Sequence, residues 1–272
     1  LRRVFMKIKF TKMEALANDF IFIDALENPG FKPNNLLELS FDLCSRRRGI
    51  GADGVVFLDA SKSGKSENQI SLRVFNADGT EAANCGNGLR CAARFAYDRV
   101  YTKGKREFSI LLEKSKRKIT AFVDEDDITV DMGQAVIEGE GAVNFNGKDF
   151  NYTAVNIGNK HAVIFVKDIE AVDLPGLANL IEQESCFSDG VNVQLASLSD
   201  PNNIRLRTWE RGVGETLACG TGACSTVALG IKKGLCENSV NVSMPGGKAR
   251  AAQRGSSMFL TGPVNYVFKG EI

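Results

Sequence analysis

Two stretches of the chain decide how it is read: Asn76–Leu89, NADGTEAANCGNGL, and Glu210–Ala223, ERGVGETLACGTGA. At a constant offset of 134, Glu81 matches Glu215, Cys85 matches Cys219, Gly86 matches Gly220 and Gly88 matches Gly222. Four identities at fixed spacing indicate an internal duplication. Two weaker echoes keep the same order: Asn18-Asp19-Phe20-Ile21 with Asn159-Lys160-His161-Ala162, and Asp53-Gly54-Val55 with Asp189-Gly190-Val191. The chain therefore reads as two copies of one domain. Their bounds are 1–127, to which 263–272 returns, and 128–262.

Working outward, alternating apolar patterns at Met6–Thr11, Phe20–Asp24, Val55–Asp59 and Ser71–Phe75 predict strands, and Leu36–Arg47 predicts a helix. Phe108–Met132 reads as a three-strand meander whose polar turns are Lys114–Lys118 and Asp124–Asp127. Each Cys-Gly-x-Gly precedes a stretch of helical character, Leu89–Val100 or Ala223–Lys233, which places the motif at a helix N-terminus. Unpaired N–H groups and partial positive charge collect there, favouring anions and a thiolate over a thiol. The glycines let a carboxylate approach the backbone closely.

Two such turns, one per copy, suit inversion of a stereocentre. One sulfur, as thiolate, removes a Cα proton while the other, as thiol, supplies a proton from the opposite side, and the helix N–H groups stabilise the developing negative charge. This logic requires no cofactor. No metal site is expected, because Cys91 and Cys224 lie six and five residues past the motif cysteines, outside the Cys-x2-4-Cys spacing of zinc sites. Cys44, Cys91, Cys186, Cys224 and Cys236 read as packing residues.

Composition narrows the class. The 272 residues are 43% apolar and 25% charged, as in ordinary globular proteins. With 34 Lys plus Arg against 33 Asp plus Glu the net charge is +1, which lacks the positive field a nucleic-acid partner requires. The longest apolar run, Ala162–Val166, is five residues against the roughly 18 needed to span a bilayer, so no membrane partner is expected. Seven cysteines, an odd number, and no secretory pattern at the start point to reduced thiols in the cytoplasm.

At Met13–Phe20 (MEALANDF), Gly49–Gly54 (GIGADG), Phe75–Cys91 (FNADGTEAANCGNGLRC), Gly158–Val163 (GNKHAV) and Trp209–Ala223 (WERGVGETLACGTGA) the sequence resembles the diaminopimelate epimerases, across essentially its whole length. The resemblance implies an α/β (mixed α+β) fold of two pseudo-symmetric domains, each a barrel-like, mostly antiparallel sheet around a central helix. It also implies a cytoplasmic, cofactor-independent, commonly homodimeric isomerase that interconverts LL- and meso-diaminopimelate on the route to lysine and peptidoglycan. Cys85 and Cys219 then form the acid–base pair. The backbone at Gly86, Asn87, Gly220 and Thr221 holds the α-carboxylate, and Asn18, Asn76, Asn159, Asn192, Glu210 and Arg211 hold the rest of the substrate. His161, the only histidine, and Glu210 resemble positions that tune the cysteine pKa values, with the pairing to each thiol left open. Glu81 and Glu215 read as acceptors of backbone hydrogen bonds that support the two turns.

Three segments depart from the family pattern. Glu14-Ala15-Leu16-Ala17 stands where the family usually has His-Gly-Leu-Gly, Lys160 where it usually has Pro, and Gly54 where many members carry a Gln that reaches the substrate. The last predicts a roomier recognition pocket and an alternative activity, a related two-cysteine racemase with another or broader substrate such as glutamate. A binding protein that merely holds an amino acid is the alternative outside catalysis, and the presence of both cysteines argues against it.

Overall fold

A computed structural model describes residues 7–32, 36–60, 69–82 and 84–272. Contacts divide the chain into two compact units, Leu1–Val130 with Pro263–Ile272, and Asp131–Gly262. The division falls inside one continuous strand, β8 (Asp127–Gly133), and not at the polar turn before it.

In the first unit the strands are β1 (Lys9–Ala15), β2 (Asn18–Asp24), β3 (Gly54–Asp59), β4 (Gln69–Asn76), β5 (Glu81–Ala82), β6 (Glu107–Leu112), β7 (Arg117–Val123) and the start of β8. The hairpin β1–β2 is followed by a parallel pairing β2–β3, antiparallel β3–β4 and β4–β5, parallel β4–β6, then the antiparallel meander β6–β7–β8. The C-terminal strand β18 (Asn265–Glu271) pairs antiparallel with β1. Helix α1 (Leu36–Cys44) packs on β3 and β4, and helix α2 (Gly86–Asp98) on β1, β3, β4 and β7.

The second unit repeats this order. Its strands are β9 (Val136–Phe145), β10 (Lys148–Asn156), β11 (Lys160–Phe165), β12 (Asn192–Asp200), β13 (Asn203–Glu210), β14 (Gly214–Thr216), β15 (Ser239–Met244), β16 (Gly247–Arg254) and β17 (Ser257–Pro263). Pairing is antiparallel except for β11–β12 and β13–β15, the counterparts of β2–β3 and β4–β6. Helix α3 (Leu174–Ile181) packs on β9, β12, β13 and β14, and helix α4 (Gly220–Lys232) on β10, β11, β12 and β16. A helix buried on one stripe would alternate with polar residues, but α2 and α4 are buried almost all round through their first three turns. Their small residues, such as Ala92, Ala93, Ala223 and Ser225, let strands approach closely.

Register corrects one sequence alignment. Phe20 pairs with Gly54 and Gly54 with Asn76 in the first unit. In the second, His161 pairs with Asn192, and the β12–β13 ladder runs through Val193–Trp209 and Gln194–Thr208. Gly54 thus occupies the place of Asn192, not of Gly190, and the Asp-Gly-Val echo lies two residues out of register. Four element bounds also shift. The predicted helix Leu36–Arg47 stops at Cys44, because the carbonyls of Leu43 and Cys44 accept from the amides of Gly51 and Ala52. The predicted first strand, Met6–Thr11, begins at Lys9, and Met6 lies outside the described residues. Both thiol helices begin three residues earlier than their apolar pattern suggested, on Gly86 and Gly220.

The loop that lost its glycines carries strain. Leu16 and Ala17, the two residues between β1 and β2, have φ of 56° and 63°, a conformation that Asn-Gly adopts without cost and a Cβ resists. The Glu14 carboxylate accepts from the Ala17 amide at 2.9 Å and steadies the turn. Replacing Ala17 by Gly is expected to raise the unfolding free energy by about 1 kcal/mol in urea titrations; an unchanged or lower value would show that the turn is not strained.

Candidate active site

Cys85 and Cys219 occupy the same place in their helices. Each is the N-cap, with extended backbone (φ −153° and −128°), and each sulfur accepts the amide of the third helical residue, Gly88 or Gly222, at 3.4 Å. Helix geometry leaves the other first-turn amides, those of Gly86 and Asn87 and of Gly220 and Thr221, without intrahelical acceptors, so an anion meets N–H groups and sulfur together. Cys219 and Thr221 are buried, whereas Cys85 is half-buried.

Around Cys85, polar groups converge on Asn18. Its amide nitrogen donates to Asp53 at 2.8 Å and its carbonyl accepts from Asn87 at 3.2 Å, while buried Arg90 donates to the Asn87 carbonyl at 3.0 Å. An ion cluster holds this loop: the Arg46 guanidinium bridges Asp19 (2.8 and 3.1 Å) and Asp53 (2.6 Å), and Lys12 meets Asp19 at 2.8 Å. Burial would push the Asp19 carboxyl up, yet hydrogen bonds and charge from Arg46 and Lys12 win and bring it down to about 2. Asn76 lies at the end of β4 and donates to Thr80 at 3.0 Å.

Around Cys219 the side chains form a continuous run. Thr208 donates to the Gln194 carbonyl at 2.7 Å, Gln194 donates to His161 Nδ1 at 3.1 Å, and His161 Nε2 lies 3.2 Å from the Asn159 carbonyl. Asn159 in turn donates to Thr221 at 3.4 Å, and the Thr221 hydroxyl lies 3.4 Å from the Cys219 sulfur. His161 is fully buried, and desolvation of the imidazolium lowers its pKa to about 3. It is a neutral ring that reaches the thiol through Asn159 and Thr221. Glu210, at the end of β13, accepts from Thr216 at 2.6 Å. Asn192 donates to the Lys160 carbonyl at 3.0 Å and accepts from the Arg211 amide at 3.1 Å. The Arg211 guanidinium donates to the Asp189 carbonyl, its stem crossing Gly190, where a Cβ would lie 2.1 Å from Arg211 Cδ.

Among the described residues, Glu81 and Glu215 each meet an arginine fork: Arg73 meets Glu81 at 2.8 and 2.9 Å, and Arg207 meets Glu215 at 2.7 and 3.0 Å. The two arginines are themselves 134 residues apart, a repeat signal the motif comparison passed over. At Gly54 a Cβ would fall 2.6 Å from the Phe75 carbonyl oxygen, so a side chain in that place requires the backbone to shift. The sequence does not show the ion cluster because Lys12, Asp19, Arg46 and Asp53 come from separate segments that only folding brings together, nor the pair Gln194–Thr208, which belongs to no local motif.

Fold and site together define a two-domain enzyme with a capped thiol at the head of each central helix. A family model described as diaminopimelate epimerase matches residues 10–138 and 153–267. Diaminopimelate epimerases of Alkalilimnicola ehrlichii (38% identical over 281 residues, covering 98% of this chain and 99% of the relative) and Leptospira biflexa (36% over 289, 98% and 99%) are close in sequence. The chain belongs to the diaminopimelate epimerase family. Solved structures share the fold at low identity: a predicted epimerase from Pseudomonas aeruginosa (TM-score 0.73, 15% identical, 97% of this chain and 99% of the other) and a hydroxyproline epimerase from Agrobacterium vitis with trans-4-hydroxy-L-proline bound (0.71, 13%, 98% and 91%).

Burial of neutral His161 makes stability depend on pH. The unfolded chain takes up a proton on His161 below about pH 6.5 and the folded one only near 3, so this contribution is complete above 6.5 and is lost as the pH falls. Between pH 5.5 and 4 the wild type should lose about 1.4 kcal/mol per pH unit more than His161→Gln. Denaturant titrations giving parallel slopes for the two proteins would refute a neutral buried ring.

Proposed function

We propose that this protein interconverts LL- and meso-diaminopimelate without a cofactor, Cys85 and Cys219 acting as the acid–base pair. The observation that carries the reading is the duplication of an N-capped thiol at the head of a buried helix. In the forward sense one thiolate takes the Cα proton and becomes a thiol, and the electron pair left on carbon spreads into the α-carboxylate. The other thiol then delivers its proton to the opposite face and becomes a thiolate, so that charge and protons balance. Each turn of the cycle leaves the two sulfurs exchanged in protonation.

The residue roles follow from what each group offers. Amides at Gly86, Asn87, Gly220 and Thr221 supply donors for the α-carboxylate. Asn18, Asn76, Asn159, Asn192 and Glu210 offer polar groups for the substrate's ammonium ends, and Arg211 offers a planar fork for the distal carboxylate. His161 and Glu210 tune the two thiols. Family membership supports diaminopimelate as substrate. The same family resemblance carries the further reading of a cytoplasmic homodimer serving lysine and peptidoglycan precursor synthesis; among the described residues no helix is long and apolar enough to cross a membrane.

Inversion needs a group on each face. Cys85→Ala and Cys219→Ala should each lower kcat/KM about a thousandfold or more, whereas Cys91→Ala and Cys224→Ala, at fully buried packing positions, should keep it within about tenfold. A chiral assay that finds substantial turnover in either of the first two variants would exclude the two-thiol reaction.

A further inference from the structure

The two units match strand for strand, but they differ behind their thiol turns. Register places Phe20, Val56 and Val74 of the first unit where the second has His161, Gln194 and Thr208. All six are buried, the first three at 3%, 0% and 2% exposure and the second three at 0%, 0% and 1%. Behind Cys85 the Phe20 ring closes the space, its Cζ 3.6 Å from where a Cβ on Gly88 would stand. Behind Cys219 the Gln194 amide closes it, so near that a Cβ on Gly222 would lie 2.3–2.7 Å from its three terminal atoms. A buried polar trio in a strand core costs stability unless every group is paired, and an apolar trio fills the same place in the sister unit.

What the polar trio adds is direction. With the Thr208 hydroxyl donating to Gln194 Oε1, the Gln194 nitrogen is turned to His161 Nδ1, which must then be the unprotonated nitrogen. The ring proton sits on Nε2 and donates to Asn159 Oδ1. The Asn159 nitrogen therefore donates to Thr221, whose own hydroxyl proton is left to point at the Cys219 sulfur. We propose that Gln194 and Thr208 are positioning residues for the chemistry at Cys219: they hold His161 in its Nε2–H tautomer and so align every donor in the run toward that sulfur. Two donors then converge on Sγ, the Thr221 hydroxyl and the Gly222 amide, and both favour the thiolate. The reverse run, with Nδ1–H donating to a flipped Gln194, would turn the Asn159 carbonyl toward Thr221 and draw the hydroxyl proton away from sulfur.

This inference rests on the two-thiol reading of the site, but its first readout needs no substrate. Because the chain has one histidine, long-range 1H–15N correlation spectra of uniformly 15N-labelled protein report its tautomer without assignment. The wild type should show a pyrrole-type Nε2 and a pyridine-type Nδ1. In Gln194→Leu the Nδ1–H form should become populated and kcat should fall about tenfold while KM stays within about twofold. Thr208→Val should behave alike, and Thr208→Ser, which restores the hydroxyl, should recover both tautomer and kcat. The serine and valine pair decides the matter if Gln194→Leu does not fold. A wild-type ring protonated on Nδ1 would overturn the proposal, as would folded Gln194→Leu or Thr208→Val enzyme with wild-type tautomer and kcat. A protein that shows the expected tautomer yet does not epimerise diaminopimelate would refute the substrate reading and leave the relay standing.

Discussion

The rest of the site depends on one constraint: a cysteine held in extended backbone at the N-cap of a buried helix, its sulfur accepting the third amide of the first turn. That bond ties the thiol to the end of the helix where backbone N–H groups accumulate. It also forces the sequence that follows. The first two amides must stay approachable and the third residue must leave space, for the Cys85 sulfur at Gly88 and for the Gln194 amide at Gly222, so glycine recurs at Gly86 and Gly88 and at Gly220 and Gly222. Everything around each turn keeps this geometry fixed. Small residues on α2 and α4 bring the strands in close, and the forks Arg73–Glu81 and Arg207–Glu215 brace the short strands that lead into the two cysteines.

Duplication then supplies two such turns, and divergence makes them unequal. The first is packed on Phe20 and held in front by the Asn18–Asn87 contact, which an ion cluster of Lys12, Asp19, Arg46 and Asp53 supports. The second is backed by a buried neutral imidazole and its partners. Stereoinversion of a nearly symmetric centre asks for two similar groups in opposite protonation states, and an apolar backing on one side with a polar one on the other is a physical means of setting that difference.

How far the sequence disclosed this follows the range of the interactions. The cysteine turns are local, spanning four residues, and their duplication at one offset was visible at once. So are the meander after Phe108 and helices α1, α2 and α4; α3 (Leu174–Ile181) is short and carries no motif. The Asp-Gly-Val echo misled because the match is local while register is set by pairing between distant strands, which put Gly54 opposite Asn76 and its counterpart at Asn192. Gln194 and Thr208 escape notice for a related reason: one Gln and one Thr in two separate strands carry no motif. Only once register aligns them with Val56 and Val74 do they stand out as polar groups in an apolar place. At Gly54 the sequence does not disclose what lies beside the glycine, because that space belongs to its neighbours, here the Phe75 carbonyl.

If Cys85 and Cys219 act as proposed, two monoprotic sulfurs work on opposite faces of one carbon. The most direct test is turnover of LL-diaminopimelate in D2O, with the isotope content of both isomers followed from the first few per cent of reaction. A thiolate returns to the substrate the proton it removed, and the opposite thiol, equilibrated with solvent, labels only the product. The account predicts deuterium at Cα of the meso product and almost none in recovered LL substrate. Equal labelling of both isomers from the start would mean that a single solvent-exchanging base serves both faces, and would contradict it.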